Sequence, residues 1–243
     1  MRFKTILLST LIVATTAIAK PTTLPDGAIK GIGHIPFDNL PLNAVLVVTQ
    51  FIPHEPPPPG NIVYGTEFND IIDVTGSEYY EGALVDPLGG SDVVYINRWQ
   101  NVFARPGNDV IIGIINDDGD TPGYGAWDSP TPVNVNLETG IAEDGYGYTD
   151  RITNMRVVHL DSGTVIGSSA DESIFSFPFG NKSLHMAGGV DKIYYYEMPS
   201  TDYVIEIVGT TVYVEHNDSV DTITGAEFLL FSDITYEIVY PVN

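Results

Sequence analysis

The feature that most constrains this chain is its punctuation. From Asn61 onward, short runs of β-branched and tyrosine residues are cut every few positions by glycine and aspartate. Such runs include Ile62-Val63-Tyr64, Ile71-Ile72-Asp73-Val74, Val93-Val94-Tyr95-Ile96, Val110-Ile111-Ile112 and Val133-Asn134-Val135-Asn136-Leu137. Later ones are Ile193-Tyr194-Tyr195-Tyr196, Tyr203 to Val208, Thr211 to Val214 and Phe228-Leu229-Leu230-Phe231. Several alternate apolar and polar residues with a period of two, as half-buried strands do. β-branched and aromatic side chains fit a pleated surface better than a helix. No stretch after the N-terminal leader carries an amphipathic helical period, so an all-β fold is expected.

Four of the intervening turns share a layout: glycine, a small or polar residue, an aspartate, then an apolar strand start. They are Gly65-Thr66-Glu67-Phe68-Asn69-Asp70-Ile71, Gly89-Gly90-Ser91-Asp92-Val93, Gly107-Asn108-Asp109-Val110 and Gly188-Gly189-Val190-Asp191-Lys192-Ile193. Gly167-Ser168-Ser169-Ala170-Asp171-Glu172-Ser173-Ile174 is a weaker relative. Glycine permits positive φ, which turns carbonyls inward. The aspartate adds a hard anionic oxygen, and calcium takes six to eight such oxygens. One turn supplies too few, so coils must stack to complete a site. The candidate side-chain ligands are Asp70, Asp92, Asp109 and Asp191, with Asp171 and Glu172 as second choices. Gly89, Gly107 and Gly188 are the carbonyl-bearing turn positions. The plain alternative is that G-x-D is an ordinary turn, since aspartate bonds its own backbone there.

These turns, with the sequences around them, resemble the haemolysin-type calcium-binding (RTX) β-roll region at the C-termini of serralysin-like proteases and related exported bacterial proteins. Val133 to Gly140 looks like the strand entering such a roll, and Asp144-Gly145-Tyr146-Gly147-Tyr148-Thr149-Asp150-Arg151-Ile152 like the loop that follows. Gly167 to Ile174 and the tail Val220 to Asp233 are similar to further units of that region. The resemblance covers about Asn61 to Val239. It implies a parallel β-roll or β-solenoid closed by antiparallel strands near the C-terminus, with calcium between coils. The chain departs from the pattern: its units are scattered, and most lack the third glycine.

The ends and the composition set the context. Met1-Arg2-Phe3-Lys4, an apolar run from Thr5 to Ala19 and the closing Ala17-Ile18-Ala19 read as a secretory signal peptide over 1–19. Residues 20–60 read as an N-terminal arm, with one strand-like run at Ala44 to Ile52, ending in the stiff spacer Pro56-Pro57-Pro58-Pro59. Residues 61–243 form the β-roll domain. No later stretch is long and apolar enough to span a bilayer. There is no cysteine, so an exported chain must gain stability from its core or from metal.

The net charge is −22, from 32 acidic and 10 basic side chains. That repels nucleic acid and strains the compact state unless cations offset it. Apolar residues make up 43% of the chain, which speaks against disorder. H-E-x-x-H and G-x-S-x-G are both absent, and His34, His54, His159, His185 and His216 each stand alone. The function expected is that of a secreted, non-catalytic calcium-binding surface, matrix or adhesion component. The alternative is a protein that binds or modifies extracellular polysaccharide, marked by a row of exposed aromatics and carboxylates in a groove on one face. Trp99, Tyr124, Trp127, Tyr146 and Tyr148 are the aromatics near glycine-rich loops. Asn116 to Thr121 is the densest acidic cluster, either an extra cation site or a solvated loop.

Overall fold

The computed structural model describes residues 62–75, 83–97, 99–115 and 121–240, and the backbone of 45–47. The signal-like leader, most of the arm, the proline spacer, and residues 116–120 of the acidic loop lie outside the described residues.

The chain winds between two sheets, one of twelve strands and one of nine, and except within its antiparallel segments sequence neighbours fall in opposite sheets. β1 (Val45–Val47), β2 (Ile62–Thr66) and β3 (Asp70–Asp73) belong to the first coil, β4 (Leu84–Leu88) and β5 (Val93–Asn97) to the second. β6 (Asn101–Phe103) and β7 (Val110–Ile114) make the third. β8 (Gly123–Ala126) opens a longer coil, whose other side is an antiparallel meander of β9 (Val133–Asn136), β10 (Ile141–Glu143) and β11 (Thr149–Thr153). Two regular coils follow: β12 (Val157–Leu160) with β13 (Gly163–Ile166), and β14 (Ser173–Ser176) with β15 (Lys182–His185). β16 (Lys192–Tyr195) then leads into a second meander of β17 (Val204–Val208), β18 (Thr211–His216) and β19 (Ser219–Thr224). β20 (Phe228–Phe231) and its antiparallel partner β21 (Thr235–Glu237) end the fold.

Between coils the pairing is parallel and in register. The expected β-solenoid, closed by antiparallel strands near the C-terminus, is what the chain forms. Among the described residues the only helical element is a 3₁₀ turn at Ser200–Asp202. None of them forms a helix long and apolar enough to cross a membrane.

Register explains the core. In the nine-stranded sheet, one inward column runs Val63, Val85, Val102, Tyr124, Val158, Ile174, Ile193, Leu229 across eight successive strands. Facing it in the twelve-stranded sheet are Ile72, Val94, Ile111 and Ile152, then Val135, Val165, Leu184 and Ile223. All of these are buried. A one-residue slip in any coil would turn its apolar set outward, so burial pins the register. The same pinning fixes where the turns stack, and the candidate site lies in the turns.

Candidate functional site

Each coil makes two turns, one at each edge of the flattened solenoid. At the edge where the chain enters the twelve-stranded sheet, four aspartates stack in one column. The Asp70 N–H donates to Asp92 Oδ1 at 2.7 Å, across 22 residues of chain. The Asp92 N–H donates to Asp109 Oδ1 at 2.8 Å, across 17. The Asp109 N–H donates to Asp150 Oδ1 at 3.0 Å, across 41. The long step spans the coil that carries the first meander.

One position earlier runs a second ladder of opposite polarity. The Ser91 N–H donates to Asn69 Oδ1, the Asn108 N–H to Ser91 Oγ and the Thr149 N–H to Asn108 Oδ1. Where a strand bends out of its sheet, backbone N–H groups lose their carbonyl partners, and buried ones must find others. Here the side chains of neighbouring coils supply them. The column is closed at both ends. Thr66 N–H and Oγ1 bond Asp70, and the Tyr124 hydroxyl donates to Asp150 Oδ2 at 2.6 Å.

The opposite edge repeats the device. The Glu172 N–H donates to Asp191 Oδ1 at 2.8 Å and the Asp191 N–H to Glu227 Oε2 at 2.7 Å. The outer ladder appears as the Val190 N–H donating to Asp171 Oδ1. Ser168 caps Glu172 through its N–H and its hydroxyl.

The residues singled out from the sequence thus divide between two sites. Asp70, Asp92 and Asp109 come together on one edge, and Asp191, Glu172 and Asp171 on the other. Gly89 and Gly188 donate across coils, to the carbonyls of Thr66 and Ser168. Gly107 is needed for close approach: a Cβ there would stand 1.5 Å from the Gly90 carbonyl oxygen and 3.1 Å from Asp109 Oδ1. Asp144, Asp150 and Glu227 were not singled out. Asp150 stands in Thr149-Asp150-Arg151-Ile152, a polar residue and an acid opening β11, but its turn sits inside the meander. Glu227 differs only in replacing aspartate by glutamate.

Both edges bury carboxylate oxygens close to one another. Asp92 Oδ2, Asp144 Oδ2, Glu172 Oε2 and Asp191 Oδ2 are buried with no hydrogen-bond partner. Burial, reinforced by the charges of Asp70 and Asp150, pushes the Asp92 carboxyl up to about 7. Asp109 and Asp150 are raised by burial and by the carboxylates beside them. Asp191 is raised by burial and by Glu172 and Glu227.

Further along the twelve-stranded sheet, on β15 and β19, a lysine satisfies such a place. Lys182 Nζ is buried and donates to the carbonyls of Phe177 (2.6 Å), Phe179 (2.9 Å) and Gly180 (3.2 Å), and to Asp221 Oδ1 (3.3 Å). Asp221 also accepts from the Ser176 and Tyr195 hydroxyls. A tethered cation sits there in a cage of carbonyl and carboxylate oxygens.

The donor set suits a hard cation. Each coil contributes one buried anionic oxygen beside turn carbonyls, the chemistry calcium prefers. Among the described residues no three His, Asp or Glu side chains converge on one point, so backbone carbonyls would have to supply most of the shell. Neither a protein-family model nor a curated protein matches the chain.

Proposed function

We propose that this protein is an exported, RTX-like calcium-binding β-solenoid. It is non-catalytic, folds on calcium outside the cell, and serves as a surface, matrix or adhesion component. The observation that carries this reading is the set of orphaned carboxylate oxygens on Asp92, Glu172 and Asp191, buried in stacked turns of a chain of net charge −22. A buried carboxylate without a partner costs several kcal/mol unless it is neutralised. A divalent ion between coils would neutralise two or more at once. Its binding free energy would then become folding free energy. Asp92 and Asp109 would hold it on one edge, Asp191 and Glu172 on the other, with carbonyls of the Gly89–Gly90, Gly107 and Gly188–Gly189 turns. Lys182 fills the equivalent need covalently in its own coil.

The test is a calcium titration of the purified chain, followed by far-UV circular dichroism and thermal melting, with magnesium and a chelator as controls. A gain of β signal and a melting temperature that rises with calcium concentration support the reading. Equal folding and equal stability in chelator would show that the ladders are self-sufficient, and the calcium reading would fall.

A further inference from the structure

The outer face of the nine-stranded sheet carries a row of rings unlike the rest of this acidic chain. Register places Phe103, Gly125, His159, Phe175, Tyr194 and Leu230 side by side across β6, β8, β12, β14, β16 and β20. Their side chains point away from the core, because Val102, Tyr124, Val158, Ile174 and Ile193 beside them point into it. The gap at Gly125 is filled from outside. Ring atoms of Trp127 lie 2.4–3.0 Å from where a Cβ of Gly125 would stand, so the indole lies across the strand. Ring centroids then follow at 4.7 Å (Phe103 to Trp127), 5.0 Å (Trp127 to His159), 4.4 Å (His159 to Phe175) and 4.6 Å (Phe175 to Tyr194).

Two kinds of ring make up this row. His159, Phe175 and Tyr194 are stacked, with interplanar angles of 15° and 8°, so their faces cover one another. Trp127 is turned 68° and 73° from its neighbours in the row. Tyr196, beside the row and 52% exposed, is turned 68° from Tyr194 and 70° from Phe175. The stacked rings form a rail, and the turned ones are the half-buried Trp127 and the exposed Tyr196. The row is also uncharged. Burial depresses His159 to about 4, so it is neutral there, and Phe103, Trp127 and Phe175 carry no ionisable group. On a chain with 32 acids, an aromatic row of this length, with the paired Arg105 over Phe103 at one end, is a candidate surface for a partner.

We infer that this strip binds a neutral, linear polysaccharide, with Trp127 and Tyr196 as the stacking platforms. Four features select that occupant. The strip runs across parallel, in-register strands from β6 to β16, which suits an extended polymer. Its contact surface is aromatic with little aliphatic area, and the axial C–H face of a pyranose packs on an aromatic face. Amphipathic tyrosines keep a hydroxyl at the wet rim for sugar hydroxyls. An anionic polymer would meet the repulsion of a chain of net charge −22, and Arg105, whose guanidinium lies 4.8 Å over the Phe103 ring, is already paired with Asp86. The inference does not depend on calcium, since it concerns the sheet face and not the turns.

The two tryptophans make a direct test. Trp99, 55% exposed, lies away from the row in the turn between β5 and β6. In a Trp99→Phe background all indole fluorescence comes from Trp127. Xyloglucan, galactomannan and the oligosaccharides cellohexaose and chitohexaose are titrated in calcium-containing buffer, with alginate as the anionic contrast. The same ligands are run by affinity electrophoresis. Support is a saturable shift of Trp127 emission with at least one neutral glycan and none with alginate. Trp127→Ala should weaken retention at least tenfold and Tyr196→Ala several-fold, while Trp99→Ala changes nothing. Circular dichroism confirms that each variant is folded, and the exposed Tyr196 supplies the variant that leaves the fold undisturbed. No neutral glycan bound, binding unchanged in both platform variants, or binding of alginate alone would overturn the inference. Capture of an apolar peptide or dye in place of glycans would assign the strip to a protein partner and overturn it equally.

Discussion

Asp92→Asn puts the ladder to a quantitative test. In the wild type, Asp92 Oδ1 accepts the Asp70 N–H while Oδ2 is buried and unpaired. The asparagine keeps an oxygen for Asp70 and removes the charge. Raising the carboxyl from 3.8 to about 7 corresponds to at most about 4 kcal/mol of cost to the ionised folded state. Solvent at the edge turn reduces this, and a buried amide donor costs about 1 kcal/mol of its own. In chelator at pH 8 the variant should therefore be more stable than the wild type by about 1–3 kcal/mol.

The sign of the pH dependence follows from the same shift. The folded-state carboxyl lies above its unfolded value, so the native state binds more protons between about pH 4 and 7. The Asp92 contribution to stability in chelator should therefore be lost as pH rises through that window, read as the difference between wild type and variant. Saturating calcium reverses the ranking. At a hundredfold excess over Kd the wild type gains about 2.7 kcal/mol, and the variant, with one anionic ligand fewer, gains less. Urea unfolding followed by far-UV circular dichroism at pH 5 and 8, in chelator and in calcium, reads all four cells. If the variant is destabilised equally at both pH values and responds to calcium like the wild type, the charge on Asp92 has no role and the reasoning fails.

Other consequences are separable. Lys182→Met leaves Asp221 buried without its cation and strands three carbonyls, so a loss of about 3–5 kcal/mol is expected in thermal or urea unfolding. Adding Asp221→Asn should recover part of it. His159, held near 4 against 6.5 when unfolded, makes the native state the weaker proton binder between those values. The His159 contribution is lost as pH falls from 7 to 4, opposite in sign to that of the buried carboxyls, so the stability of His159→Phe relative to the wild type should rise by about 3 kcal/mol over that range in acid urea titrations. Gly107→Ala drives a methyl into the Gly90 carbonyl and should cost at least about 1–3 kcal/mol, with a lowered melting temperature.

Much of this molecule was legible in residue order. The period-two runs at Ile71, Val93, Val110, Val133 and Phe228 became strands, because alternation and β-branching are local signals that burial then reinforces. The glycine–aspartate turns announced a stacked, carboxylate-lined edge. Other strands escaped notice because their local signal is wrong. β4 contains Pro87, β8 is Gly-Tyr-Gly-Ala, and β15 begins with Lys182. They are held by register with neighbouring coils, a long-range term absent from any short window.

Tertiary structure alone decided three things. It divided the candidate ligands between two edges, since the turn at which an aspartate falls depends on how many half-coils precede it. It recruited Asp150 across 41 residues and Glu227 across 36, because the meanders bulge out of the coil and return the chain to the same column. And it gathered Phe103, Trp127, His159, Phe175 and Tyr194, scattered over more than ninety positions, into one row. The sequence by itself determined the chemistry of each turn and each strand face. Only the stacking of coils, fixed by burying two apolar columns against each other, determined which of those pieces meet.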